Sequence, residues 1–235
     1  MTGPSARRHA RIAGVLFLLS VLAGGFGEFY VPSRLVVPAD AAATARNIRA
    51  SDALFRAGFA GYLVEAVCDI ALTFFLYVLL RPAGEHLALL AAFFRLVSTA
   101  VFAGAELFYF AASVILQGGA FLSSFTPDQR DGLALLSIKI YGYGGDLFMV
   151  FYGTASILLG YLIFRSRYLP KFLGVLLALG GVGFVLRNFA IVLAPAYSSP
   201  FLLLPMFLAA VAQTVWFLAR GIDVAKWEER TAISA

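Results

Sequence analysis

Long, unbroken runs of apolar residues alternate with short polar segments along this chain. A helix needs about 20 mostly apolar residues to cross a bilayer core that is roughly 30 Å thick. Membrane-spanning strands are not indicated, because the apolar runs lack the period-2 alternation of a β-barrel. The pattern therefore predicts six transmembrane helices, at about residues 12–30, 54–80, 87–116, 143–164, 172–194 and 201–220.

The composition agrees with a membrane protein. Hydrophobic residues make up 61% of the chain and charged residues 13%, whereas soluble domains are about half apolar and about a quarter charged. This shortage of polar side chains excludes a soluble globular protein, a disordered tail and a nucleic-acid-binding module. The predicted fold class is all-α, a polytopic helical membrane bundle in which residues 1–235 form a single transmembrane domain.

The positions of Lys and Arg predict the orientation, because cytoplasmic loops are enriched in both residues. With the N-terminus inside, ten of them lie in inner segments and six in outer segments. This bias predicts a protein with both termini in the cytoplasm. An alternative for the first segment is a cleaved signal peptide, because Val21-Leu22-Ala23 resembles a cleavage site.

Two of the loops that this orientation places outside, the first and the third, predict short surface helices. In the first loop, Asp40 is the expected N-cap of an Ala-rich helix. In the third loop, Thr126, Pro127 and Gln129 occupy the N-cap, first and third positions of a capping box. We expect the second of these helices to lead into a bend at Gly142, Gly144 and Gly145, before the fourth span.

Three segments of the chain resemble a known family of bacterial multi-pass membrane proteins. They are residues 10–14 (ARIAG), residues 37–45 (VPADAAATA) with Asn47 and Ile48, and residues 168–176 (YLPKFLGVL). The family that they resemble is defined as domain of unknown function 4386, and the likeness covers nearly the whole chain. The resemblance implies a helical bundle in a bacterial cytoplasmic membrane. It implies no activity, cofactor or catalytic residue.

Ionisable side chains lie inside the predicted spans, where each one costs at least a few kcal/mol and therefore marks a candidate site. These residues are Glu65, Asp69, Arg95, Glu106, Asp146 and Arg187. Four carboxylates thus accompany two arginines. Glu28, at the outer end of the first span, is expected to be an interfacial residue.

Helical spacing and depth predict how these charges pair. Glu65 and Asp69 are four residues apart and share one helix face. Asp69 is expected to form a structural ion pair with Arg95, and either Glu65 or Glu106 is expected to pair with Arg187. An unpaired carboxylate in a low dielectric takes up a proton or binds a cation. We therefore expect Glu65 or Glu106 to be protonated near neutral pH or to contact a cationic ligand.

The candidates for ligand or proton binding are Glu65, Glu106, Arg187 and Asp146. Aromatic residues at similar levels would form the wall of a pocket for a cation, namely Tyr62, Tyr109, Tyr143 and Tyr152. Less specific interpretations exist for each group. Asp146 would cap its helix, the aromatic residues would form an interfacial belt, and the buried charges would only fix helix register.

Three functions are compatible with this pattern. The first is a protein that binds or transports a small ligand, a proton or a cation through an outward-facing polar pocket lined by carboxylates. The second is an intramembrane enzyme that uses Glu65 or Glu106 as general acid on a lipid-like or isoprenoid substrate. The third is an accessory or structural membrane protein.

Cofactors and partners follow from the same composition. Two histidines and one cysteine are too few for common metal and haem sites, so no metal and no cofactor are expected. The expected partners are the lipid bilayer and a small-molecule or cation ligand, without nucleic acid. The substrate and the oligomeric state are left open.

Overall fold

The computed structural model describes residues 3–234, and every regular element in that range is a helix. Six helical segments are long and apolar enough to cross a membrane, and they are Pro4–Leu35, Asp52–Ala83, Glu85–Gln117, Pro127–Ser166, Lys171–Leu193 and Pro200–Ala219. The predicted all-α fold class with six spans is therefore confirmed.

The α-helices are α1 (Gly3–Gly25), α2 (Val31–Leu35), α3 (Ala41–Ala50), α4 (Asp52–Leu80), α5 (Glu85–Gln117), α6 (Pro127–Ser166), α7 (Lys171–Leu193), α8 (Leu204–Ala219) and α9 (Val224–Ser234). A π-helical turn, Phe26–Tyr30, joins α1 to α2 without an intervening loop. Short 3₁₀ turns occur at Arg81–Ala83, Ala120–Leu122, Pro195–Tyr197 and Pro200–Leu203.

Both predicted helix starts are confirmed. The side chain of Asp40 accepts a hydrogen bond of 2.8 Å from the amide of Ala43, so α3 begins directly after its N-cap. The amide of Gln129 donates to Thr126 Oγ1 at 3.3 Å, and Thr126 donates its amide to Gln129 Oε1 at 2.9 Å. These two bonds form the predicted capping box, which satisfies amides that the helix itself leaves without acceptors.

The helix that begins at Pro127 continues without interruption to Ser166. The predicted surface helix of the third loop and the fourth span are therefore one helix of 40 residues. The glycines at residues 142–145 do not interrupt this helix. One of them, Gly144, serves close packing instead. A Cβ on Gly144 would clash with Ala105 of α5, so the glycine permits a close helix contact.

The chain divides into two compact units. The first unit comprises the chain up to Leu19, Cys68–Thr99, and the chain from Leu147 onward. The second unit comprises Ser20–Val67 and Ala100–Asp146. The single transmembrane domain inferred from the sequence stays a prediction.

One end of the first unit is organised around the last turn of α4. The carbonyl of Leu79 accepts hydrogen bonds from the Tyr168 hydroxyl at 2.8 Å and from Trp227 Nε1 at 3.1 Å. The final carbonyls of a helix have no partner within the helix, so these two side chains satisfy one of them. Gly221, which precedes α9, lies beside Arg7 of α1. The start of α1, the α6–α7 turn and α9 therefore meet at this end.

Glycines also bring α6 and α7 together in the first unit. A Cβ on Gly160 would lie 2.5 Å from the carbonyl oxygen of Gly174, and a Cβ on Gly174 would lie 2.5 Å from that of Gly160. Gly153 and Gly181 approach each other in the same way. Small residues that allow backbones to approach closely are the usual basis of helix association in lipid.

An ion pair and a hydrogen bond join helices of the second unit near their ends. Arg49 of α3 forms a 2.5 Å ion pair with Asp131 of α6. Ser113 of α5 donates a hydrogen bond of 2.9 Å to Asp52, the first residue of α4. The first contact therefore joins α3 to α6, and the second joins α5 to α4.

Candidate functional site

Glu106 of α5 is the most unusual buried group of the second unit. Its side chain is 1% exposed, and neither carboxyl oxygen has a hydrogen-bond partner among residues 3–234. Buried polar groups in proteins are almost always hydrogen-bonded. An ionised carboxylate in such a place would cost many kcal/mol, far more than a neutral acid. The site is therefore suited to an exchangeable proton or to a cation.

A second carboxylate, Glu28, lies in the π-helical turn Phe26–Tyr30. Its Oε2 accepts a hydrogen bond of 3.1 Å from the Tyr62 hydroxyl and a short one from the Tyr141 hydroxyl. Tyr62 and Tyr141 are buried, whereas Glu28 is exposed. Glu28 is thus an exposed carboxylate whose position is fixed by hydrogen bonds from two buried tyrosine hydroxyls.

The tyrosines behind Glu28 belong to a packed aromatic cluster. The ring of Tyr62 lies 5.3 Å from that of Tyr109 and 5.4 Å from that of Tyr141, and Tyr109 and Tyr141 are 5.5 Å apart. Phe102 lies 5.9 Å from both Tyr62 and Tyr141. Tilted and edge-on contacts of this kind are favourable between aromatic rings. Because the rings pack against one another, they form a continuous cluster and do not surround an open cage.

The predicted pocket tyrosines are only partly brought together. Tyr62 and Tyr109 are in ring contact, but Tyr143 is 70% exposed. The reason is helical geometry, because residues two apart on a helix point about 200° apart. Tyr141 therefore enters the cluster and Tyr143 faces away from it. Tyr152 belongs to the first unit, where its ring centroid lies 4.9 Å from Arg95 Cζ.

Asp69 and Arg95 meet inside the first unit. Arg95 Nη2 lies 3.4 Å from Asp69 Oδ1. Both residues are buried, with Arg95 3% and Asp69 7% exposed. Arg95 Nε also donates a hydrogen bond of 3.1 Å to Thr73 Oγ1. The Thr73 hydroxyl in turn donates to the Asp69 carbonyl at 2.7 Å. The guanidinium is therefore held by a carboxylate, a hydroxyl and an aromatic ring.

The remaining candidates lie in both units. The carboxyl group of Glu65 lies against α1, since a Cβ on Gly24 would be 2.5 Å from its Cδ. Asp146 is half-buried in the second unit, near enough to Glu28 for the two charges to interact. Arg187 is half-buried on α7 of the first unit. The pairing of Glu65 or Glu106 with Arg187 stays a prediction.

Two residues of this site were not among the candidates from the sequence. Glu28 was expected to be only a residue of the membrane–water interface, and Tyr141 was not among the four tyrosines expected to line the pocket. A π-helical turn adds a residue to one turn and rotates the helix beyond it, and such turns are frequent at functional sites. In the part of the chain that the structure describes, no group of three or more His, Cys, Asp or Glu residues is arranged to hold a metal ion.

Comparison with other proteins identifies relatives without known activity. An uncharacterized protein of Archaeoglobus fulgidus is 29% identical to this chain over 126 residues, which is 54% of this chain and 62% of that protein. The match therefore spans less than two thirds of that relative. No solved structure matches the chain. The sequence profile described as "Domain of unknown function (DUF4386)" matches residues 12–221, which include all of the candidate residues. The chain therefore belongs to the DUF4386 family, whose function is unknown.

Proposed function

We propose that this protein binds or transports a small cation and that Glu106 carries the proton which the cation replaces. The observation that carries the proposal is the burial of the Glu106 carboxyl group without a hydrogen-bond partner in the described structure. Without a ligand, the neutral acid is the form that such a site tolerates. A cation next to the group would compensate for the charge that remains when the proton leaves. Carboxylates inside membranes commonly mark ion and proton pathways.

The second unit contains a chain of groups that supports this proposal. Glu28 is exposed, and its carboxylate is hydrogen-bonded to Tyr62 and Tyr141. Both of these tyrosines contact Tyr109, which follows Glu106 by three residues and lies on the same side of α5. Phenol hydroxyls can both donate and accept hydrogen bonds. We propose that Glu28 is the surface contact of the cation and that the tyrosine cluster separates it from Glu106.

Two further residues of the second unit, Glu65 and Asp146, are proposed to tune this site. The role of Arg187 of the first unit in ligand or proton binding stays a prediction. Asp146 adds negative charge near Glu28, which favours a cation over an anion. The Asp69–Arg95 pair of the first unit is proposed to have a structural role, because its charges compensate each other at 3.4 Å.

The proposed location is a bacterial cytoplasmic membrane with both termini in the cytoplasm. The excess of Lys and Arg in the segments that this orientation places inside supports it. The contacts of Leu79 with Tyr168 and Trp227 support one part of this topology, namely that three of these segments lie on the same side of the membrane. The beginning of α1 reaches the same end through Arg7.

A thermal-shift experiment on the purified full-length protein tests the function. We expect at least one of sodium, potassium and tetramethylammonium chloride to raise the melting temperature of the wild type. Proton release into weakly buffered solution should accompany that shift, because the cation displaces the Glu106 proton. Glu106→Gln keeps the shape of the neutral acid. It should therefore fold normally, lose the response to the cation and release no proton.

Glu85→Gln is the matched control, because Glu85 is exposed and belongs to the same helix. This variant should respond to the cation as the wild type does. The proposal is contradicted if none of the three cations shifts the wild type, or if Glu106→Gln retains both the shift and the proton release.

A further inference from the structure

We infer that a basic groove of the first unit binds the phosphate group of an anionic phospholipid. The groove has a volume of about 560 Å³ and lies between the α6–α7 turn and α9. Its lining includes four basic side chains, Arg167, Lys171, Lys226 and Arg230, against one acidic side chain, Glu229. Basic pockets at the ends of transmembrane helices attract lipid phosphates in this way.

Apolar residues in and beside the groove favour a lipid over a free anion. Ile233 lines the groove and is 70% exposed, and Pro170, which is half-buried, lies in the same lining. Phe172, which follows Lys171, is 53% exposed. A phospholipid can place its phosphate among the basic groups and the start of its acyl chains against these apolar side chains. Inorganic phosphate would leave the apolar side chains in water.

The turn that carries Arg167 is fixed by side-chain hydrogen bonds. The Ser166 hydroxyl donates to the Ile163 carbonyl at 2.8 Å and accepts from the Leu169 amide at 3.3 Å. Arg167 itself has φ of 67°, the left-handed conformation that helix ends usually give to glycine. The chain therefore keeps a long basic side chain at a position where glycine would be less strained.

The opposite wall of the groove is fixed as well. The indole of Trp227 is buried and donates a hydrogen bond to the Leu79 carbonyl, which holds α9 in place. Lys226 on this wall lies 3.0 Å from Asp223 and keeps the pKa of that carboxyl below its usual range by hydrogen bonding. Lys226 is therefore already partly neutralised. Arg167 and Lys171 lie together on the other wall, on the α6–α7 turn and at the start of α7, so replacing both removes two of the four basic charges of the groove.

Native mass spectrometry of the full-length protein in detergent tests this inference, with phosphatidylglycerol as the probe and phosphatidylcholine for comparison. Each basic residue near a membrane surface contributes about fivefold in affinity for anionic lipid. Arg167→Gln combined with Lys171→Gln should therefore weaken phosphatidylglycerol binding roughly 25-fold. Phosphatidylcholine binding should be weak in both proteins. Arg46→Gln combined with Lys139→Gln removes two exposed charges from the second unit and should leave phosphatidylglycerol binding unchanged.

Arg167→Gly separates binding from folding. Because glycine adopts the left-handed conformation without strain, this variant should melt at or above the temperature of the wild type and still bind phosphatidylglycerol more weakly. The inference is overturned if the double variant and the wild type retain phosphatidylglycerol equally. It is also overturned if millimolar inorganic phosphate displaces the lipid completely, since the groove would then be a site for a free anion.

Discussion

Asp69→Asn is expected to lower the free energy of unfolding by about 3–5 kcal/mol, because it removes the charge that compensates a buried arginine. Arg95 is 3% exposed and lies 3.4 Å from Asp69. The guanidinium cannot lose its proton in a protein, so the variant must bury an uncompensated charge. Equilibrium unfolding in mixed micelles, followed by circular dichroism, measures the loss.

The combined variant Asp69→Leu with Arg95→Met is the control for this prediction. It removes both charges and replaces them with apolar side chains, which in other buried pairs is often neutral. It should therefore be more stable than Asp69→Asn. If Asp69→Asn unfolds like the wild type, or if the combined variant loses the sum of the two single effects, the pair does not stabilise Arg95 as described.

Gly174→Ala is expected to destabilise the protein by about 3 kcal/mol, because the added methyl group would overlap backbone rather than a movable side chain. The new Cβ would lie 2.5 Å from the carbonyl oxygen of Gly160 and 2.7 Å from the amide nitrogen of Phe164. Helices α6 and α7 would have to move apart to accommodate it. The melting temperature in detergent measures the effect.

Gly104→Ala is the matched control, since it makes the same chemical change in another long helix. No described atom outside its own helix lies within 4 Å of the position that its Cβ would take. This variant should be neutral or stabilised by about 0.5–1 kcal/mol, as is usual for glycine replaced in a helix. Equal melting temperatures for the two variants would show that α6 and α7 do not depend on close glycine contact.

Local sequence was sufficient to predict most of the helices. The six spans follow from apolar runs, because a backbone in lipid must satisfy its hydrogen bonds internally and therefore forms helices. The caps at Asp40 and Thr126 depend on residues within the same turn, so they too could be predicted. The packing role of Gly144 could not be predicted from local sequence, because it depends on Ala105, which lies in another helix.

The candidate site was less predictable, because it depends on contacts between helices. The carboxylate of Glu28 is held by Tyr62 from α4 and Tyr141 from α6, and no sequence spacing relates these three residues. The π-helical turn around Glu28 cannot be read from the apolar pattern either. Glu106 was recognised from its depth alone. Its carboxyl group has no hydrogen-bond partner among the described residues. This property depends on the positions of the surrounding helices, which the sequence alone does not give.

The protonation state of Glu106 in the ligand-free protein tests the central claim most directly. Infrared difference spectroscopy near neutral pH, with Glu106→Gln and Glu65→Gln each compared with the wild type, can assign the carboxyl bands. We predict that the wild type shows the C=O band of a protonated, weakly hydrogen-bonded carboxylic acid. This band should disappear in Glu106→Gln and persist in Glu65→Gln. The account is contradicted if Glu106→Gln instead removes the signal of an ionised carboxylate from the ligand-free protein.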